Sequence, residues 1–163
     1  MMGKTYDALD IAKYIIGKSE GGISNLRLQK TMYFLQGEYL AEYGKPLFDD
    51  IIEKWRLGPV TPSVYYNYNQ FGSNPITEEK ELYVTKSNVV WKSFDSAKLE
   101  DVKNFIDKVI KELSKYGDFD LVELTHAHPM WSNDEKDILS GVRHLQYKND
   151  EIEKYFKKNS IVK

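Results

Sequence analysis

Glu123, His126 and His128 spell Glu-x-x-His-x-His, a string of carboxylate and imidazole groups of the kind that binds zinc and its first-row neighbours. Glu123 and His126, three residues apart, share a helical face, whereas His128 lies about 200° from His126 on an ideal helix. The three converge only if the helix stops between the histidines, which Pro129 permits. On the competing reading His126 hydrogen-bonds and packs near Trp131 while His128 sits at the surface. The spacing favours that reading, so the trio is kept as a minor metal candidate and no cofactor is expected.

Other chemistry has less to work with. The chain has no cysteine, which removes a thiolate nucleophile, a disulfide framework and any Cys-ligated metal. There is no Gly-x-Ser-x-Gly elbow, P-loop or Gly-x-Gly-x-x-Gly string. Ser24, Ser63 and Ser96 each precede an apolar periodic run and read as helix caps. No acidic pair lies in an apolar context that would raise a pKa for proton transfer. The expectation is a protein that is not an enzyme.

The 23 basic and 25 acidic residues give a net charge of −2, which disfavours a strongly basic nucleic-acid binder. A local patch could still come from Arg27 and Lys30 with the tail lysines Lys154, Lys157, Lys158 and Lys163. A phage-associated regulator binding nucleic acid there is the alternative function. The plainer reading makes Arg27 and Lys30 solvent or ion-pair positions on a helix too apolar to read a groove. The amino-terminal stretch carries no apolar signal core and no run approaches the roughly 20 residues that span a bilayer. The sequence therefore reads as a cytoplasmic, non-membrane protein.

Tyrosine stands out, with 12 residues beside 7 Phe and 3 Trp. Tyr65, Tyr66, Tyr68 and Phe71 crowd one short segment, and a single helix face cannot bury them all. Successive helical positions turn by about 100°, placing Tyr65 and Tyr68 on one side and Tyr66 on another. Exposed tyrosines bring large contact area at low rotamer cost, so these four are the candidate partner-binding residues. The competing reading buries Tyr65 and Phe71 and scatters the rest over the surface.

The elements that must position these residues are mostly helical. Thr5 or Asp7 caps a helix to Lys18, and Ser24 opens the clearest helix, running to Tyr43 and stopped by Gly44 and Pro46. Leu28, Met32, Leu35 and Tyr39 form its stripe, widened by Tyr33, Leu40 and Tyr43, as in a central buried helix. Ile51 to Arg56 is ambiguous between strand and extended chain. Gly58-Pro59-Val60-Thr61-Pro62 is a rigid connection leading to a helix from Val64 to Phe71 capped by Ser63. Leu82-Tyr83-Val84 and Val89-Val90-Trp91 suggest a hairpin between 76 and 94. Further helices are expected from Ser96 to Tyr116 and from Asp120 to Thr125, with a last turn near Asn149 or Asp150 carrying Ile152, Tyr155 and Phe156. The expected architecture is one compact, mainly α domain over residues 1–163, built around a central buried helix with a small β-hairpin.

Three strings together carry a resemblance. The first is Ser24-Asn25-Leu26-Arg27-Leu28-Gln29-Lys30 followed by Tyr33-Phe34-x-Gln36-Gly37. The second is Trp55-x-x-Gly58-Pro59-Val60-x-Pro62 followed by Val64-Tyr65, and the third is Leu124-Thr125-His126 with Trp131 close behind. In order and spacing the chain resembles the Panacea domain, the family of SocA-like antitoxins and phage-associated GepA-like proteins, from the first helix to the Tyr155-Phe156 end. The resemblance implies a mostly helical domain without catalysis, a cognate toxin neutralised by direct contact and, in the SocA-like branch, delivery of that toxin to a Clp-type protease. One departure is that Met130 separates Pro129 from Trp131 where the family usually joins them. The motif residues Leu28, Gln29, Lys30, Tyr33, Gln36, Gly37, Trp55, Gly58, Pro59, Pro62, Thr125, His126 and Trp131 read as fold-keeping, with Gly37 allowing another element to approach closely.

Overall fold

The computed structural model describes residues 4–78, 81–84, 89–92 and 94–163. Helix α1 (Ala8–Lys18) is capped by the Asp7 carboxylate, which accepts from the Leu9 amide at 2.8 Å. Helix α2 (Asn25–Tyr43) starts at Ser24, whose hydroxyl accepts from the Arg27 amide, and ends on Gly44 at φ 69°, a left-handed stop that glycine adopts without strain. Every α2 residue from Leu28 to Leu40 is buried, polar ones included. It is the central helix that the rest of the chain wraps.

Strands β1 (Glu53–Trp55) and β2 (Gly58–Val60) form an antiparallel hairpin. Residues 145–147 extend it on the β1 side, through Lys54 N–H to the Leu145 carbonyl and Tyr147 N–H to the Ile52 carbonyl. Gly58 has φ +106° rather than the extended geometry expected before a proline, and a Cβ there would sit 2.6 Å from the Thr125 hydroxyl. Thr61, not Ser63, precedes α3 (Pro62–Tyr68), because Pro62 supplies the first helical φ. A 3₁₀ turn (Asn69–Phe71) continues it. The expected second hairpin forms from β3 (Glu81–Val84) and β4 (Val89–Lys92); its tip, Lys86-Ser87-Asn88, lies outside the described residues.

The helix expected from Ser96 to Tyr116 splits into a 3₁₀ turn (Ser96–Leu99) and α4 (Lys103–Leu113), with Val102 off helical geometry at φ −123°. The buried apolar residues Leu99, Val102 and Ile106 have a spacing that fits a 3₁₀ turn as well as an α-helix, which is why the break is invisible to periodicity. Gly117 begins α5 (Asp118–His126) instead of merely ending α4, with the Asp120 carboxylate accepting from its N–H. Two short helices, α6 (Pro129–Ser132) and α7 (Glu135–Leu139), precede α8 (Asn149–Lys158), which is longer than the single turn expected. Phe156 of α8 lies fully buried against Gly37, whose site has no room for a Cβ. Eight α-helices and two small antiparallel pairs among the described residues make the fold mainly α. No helix among them is long and apolar enough to cross a membrane.

Candidate functional site

Several polar residues of α2 are buried, and Gln29, Lys30 and Gln36 each hold backbone of another segment. Gln36 is the clearest case. Its amide nitrogen donates to the Phe48 carbonyl at 2.8 Å, and its oxygen accepts from the Leu47 and Phe48 amides, so one side chain satisfies three main-chain groups. Gln29 accepts from the Thr61 amide at 2.9 Å and donates to Asn25, which in turn donates to the Tyr65 carbonyl. Lys30 is wholly buried, and its ammonium donates to the Pro59 carbonyl at 3.2 Å. Burial lowers its pKa to about 7. A buried polar group left unpaired costs about 1–3 kcal/mol, so the Gln36 bonds seat residues 47–48 on α2, and those of Gln29, Lys30 and Asn25 seat the hairpin and α3 there.

The Thr-His-Trp string completes this clamp from the other side. Trp131 donates its indole N–H to the Trp55 carbonyl at 2.8 Å. His126 stacks on Trp131 with ring centroids 3.8 Å apart, and its Nε2–H donates to the Arg56 carbonyl at 3.0 Å. The turn at Met130 is thus intact, with Pro129 and Trp131 in one short helix. Thr125 and Lys30 leave just enough space for Gly58.

Two expectations fail here. Lys30 is not a solvent or ion-pair position, because the hairpin lies across it. Arg27 is not free for phosphate either, since its guanidinium donates to the Leu113 and Tyr116 carbonyls and pairs with Asp118 at 3.0 Å. It closes the carboxyl-terminal end of α4, where positive charge is favourable. Of the tail lysines, Lys157 pairs with Glu153.

The histidine trio diverges. Glu123 is exposed on α5, His126 faces Arg56, and His128 is buried at 6% exposure against Tyr33, its Nδ1 2.8 Å from the Tyr33 hydroxyl. His128 is therefore not at the surface, and burial lowers its pKa to about 4. Desolvation likewise pushes the Tyr33 hydroxyl well above its ordinary value. Among the described residues no three metal-ligating side chains share a site.

The outer face of the hairpin is of another kind. Trp55 meets Tyr65 edge to face at 4.9 Å, Tyr65 meets Tyr66 at 5.3 Å, and Trp55 lies 6.1 Å from Tyr66. The Trp55 indole N–H donates to Glu53, whose other oxygen accepts from His144. Tyr66 is 58% exposed and Leu57, at the hairpin tip, 46%. Of the four candidate contact residues, Tyr66 is open and Tyr65 and Phe71 half-buried, but Tyr68 is 5% exposed and belongs to the core. Tyr68 faces inward because α3 packs against α1 and α2. Trp55, grouped with the fold-keeping residues by its string, does both jobs: its carbonyl is clamped and its ring helps build this corner.

These features fall within a recognised class. The family model for SocA-like antitoxins of the Panacea domain matches residues 28–132, from α2 to α6, and the chain belongs to that family. That span is shorter than the resemblance read from the sequence, leaving α1, α7 and α8 outside it. Among characterised proteins the chain is similar to Antitoxin SocA of Caulobacter vibrioides (strain NA1000 / CB15N), 29% identical over 130 residues, covering 76% of this chain and 67% of that protein. No solved structure matches.

Proposed function

We propose that this protein is a non-catalytic antitoxin that neutralises a toxin protein by direct contact through the corner formed by Trp55, Tyr65 and Tyr66. The observation that carries the reading is the exposed Tyr66 ring, standing on rings and backbone that the clamp holds still. A contact surface fixed before binding loses little conformational entropy on complex formation, and tyrosine and tryptophan dominate interface energetics. Family membership supports the antitoxin role. The inward Arg27 and buried Lys30 remove two of the residues on which a nucleic-acid reading relied.

On this reading the whole chain, residues 1–163, works as one Panacea unit in the cytoplasm, encoded beside its toxin on a phage-type element. Transfer of the bound toxin to a Clp-type protease is a further step of the same proposal, read as a shorter toxin half-life when the antitoxin is present. The test is co-expression with the product of the adjacent gene. Growth arrest by that product alone, relieved by this protein, together with co-purification of the two, is the expected result. A neighbour that is neither toxic nor retained overturns the proposal.

A further inference from the structure

Beside the aromatic corner runs a groove of about 360 Å³, within the range of pockets that enclose a drug-sized ligand and so suited to a few residues of another chain. Trp55, Pro62 and Tyr66 line one wall, and Ile138 and Val142, within and after α7, line the other. The first wall lies within the segment matched by the family model and the second beyond it. Val142 on one wall is 46% exposed and Tyr66 on the other 58%, while Ile138 is buried beneath.

The charge of this groove is one-sided. Arg56, at the turn of the hairpin, spends one guanidinium donor on the Leu139 carbonyl at 3.3 Å, which ties the two walls together and leaves its other donors facing out. Arg143 is exposed and makes no hydrogen bond or ion pair among the described residues. Lys54 is already paired with Asp134 at 2.6 Å. Among the described residues the one carboxylate lining the groove is Glu53, buried, with both oxygens taken by Trp55 and His144. A chain of net charge −2 thus carries a groove with two exposed guanidiniums above one buried, hydrogen-bonded carboxylate.

We propose that this groove takes an acidic, extended segment of the toxin, seating one large apolar side chain between the walls and placing carboxylates on Arg56 and Arg143. The inference rests on the antitoxin reading and adds the chemistry of the partner. Guanidinium groups bind carboxylates with paired, planar hydrogen bonds, and apolar walls reward a buried side chain. Two guanidiniums are few for a nucleic-acid strand, whose affinity comes from neutralising several phosphates.

The test pans the full-length protein against a displayed library of random peptides, with Val142→Glu as the counter-selected variant. Recovered peptides are expected to be rich in Asp and Glu around a Leu, Phe, Tyr or Trp. A synthetic copy of the strongest one should bind Arg143→Glu about tenfold more weakly in fluorescence anisotropy, with Arg56→Ala intermediate, while the melting temperature of Arg143→Glu stays that of the parent. Enrichment of basic or uncharged peptides, no enrichment, binding indifferent to Val142→Glu and Arg143→Glu, or preference for a single-stranded oligonucleotide would each overturn the proposal. These outcomes leave co-expression rescue untouched. Conversely, acidic enrichment without rescue keeps the groove and defeats the toxin reading.

Discussion

The inner and outer faces of the β1–β2 hairpin use opposite arrangements of polar and apolar groups. On the inner face Gln29, Lys30, Trp131 and His126 spend their polar atoms on hairpin and α3 backbone. On the outer face the rings of Trp55, Tyr65 and Tyr66 meet edge to face or tilted, and Tyr66 opens to solvent. Most of the letters that mark this family in the sequence lie on the inner face. Being distinctive, they fix where the hairpin sits; the outer face, which they hold still, is where a partner can be met. The comparison is broken if inner-face substitutions act on binding directly, and sharpened if they act through stability alone.

The largest effect is expected at Gln36. Replacing it by Leu strands the Leu47 and Phe48 amides and the Phe48 carbonyl, which should lower stability by about 2–5 kcal/mol. Chemical denaturation reads this directly, and the fraction that remains folded should bind toxin with unchanged affinity.

Next comes acid. His128 titrates near 4 when folded and near 6.5 when unfolded. Between those values the unfolded chain takes up the proton and the folded one does not, so stability present above pH 6.5 is lost as the pH falls through 4. The loss amounts to about 3 kcal/mol. Denaturation of the parent across this window should show that loss, and denaturation of His128→Gln should lack it.

Lys30 gives a change of slope at modest cost. Its folded pKa of about 7 lies below the ordinary value near 10.4, so from pH 7 to 10 the unfolded state holds the extra proton and the parent gains stability. In Lys30→Met that rise should vanish. At neutral pH the two proteins should differ by only about 1–2 kcal/mol, because removing a buried charge offsets the unpaired Pro59 carbonyl. A persistent rise in the variant would move the titration to another group.

How far these positions could be read in advance follows from what periodicity registers. Asp7, Ser24 and Gly44 announce the ends of α1 and α2, and Gly37 announces a close approach that Phe156 makes. Lys30 and Arg27 were legible as a spacing but not as an environment. A helix covered on all sides turns its polar residues to other segments' backbone, and no pattern along α2 itself says which carbonyl arrives. Three-residue strands such as β1 and β2 are too short to show alternation. The exposed Tyr66 was inferable from crowding of four rings in one short helix. The loss of Tyr68 to the core was not, since that depends on α1 lying alongside.

The central claim, that the outer aromatic face meets the toxin while the inner face only holds it, is tested most directly by Tyr66→Ala, measured for melting temperature and for affinity toward the toxin in the same preparation. The ring is 58% exposed, so stability should stay within about 0.5 kcal/mol of the parent while affinity weakens by about 1–3 kcal/mol. A fall in melting temperature with affinity unchanged would make Tyr66 part of the scaffold and put the toxin elsewhere on the molecule.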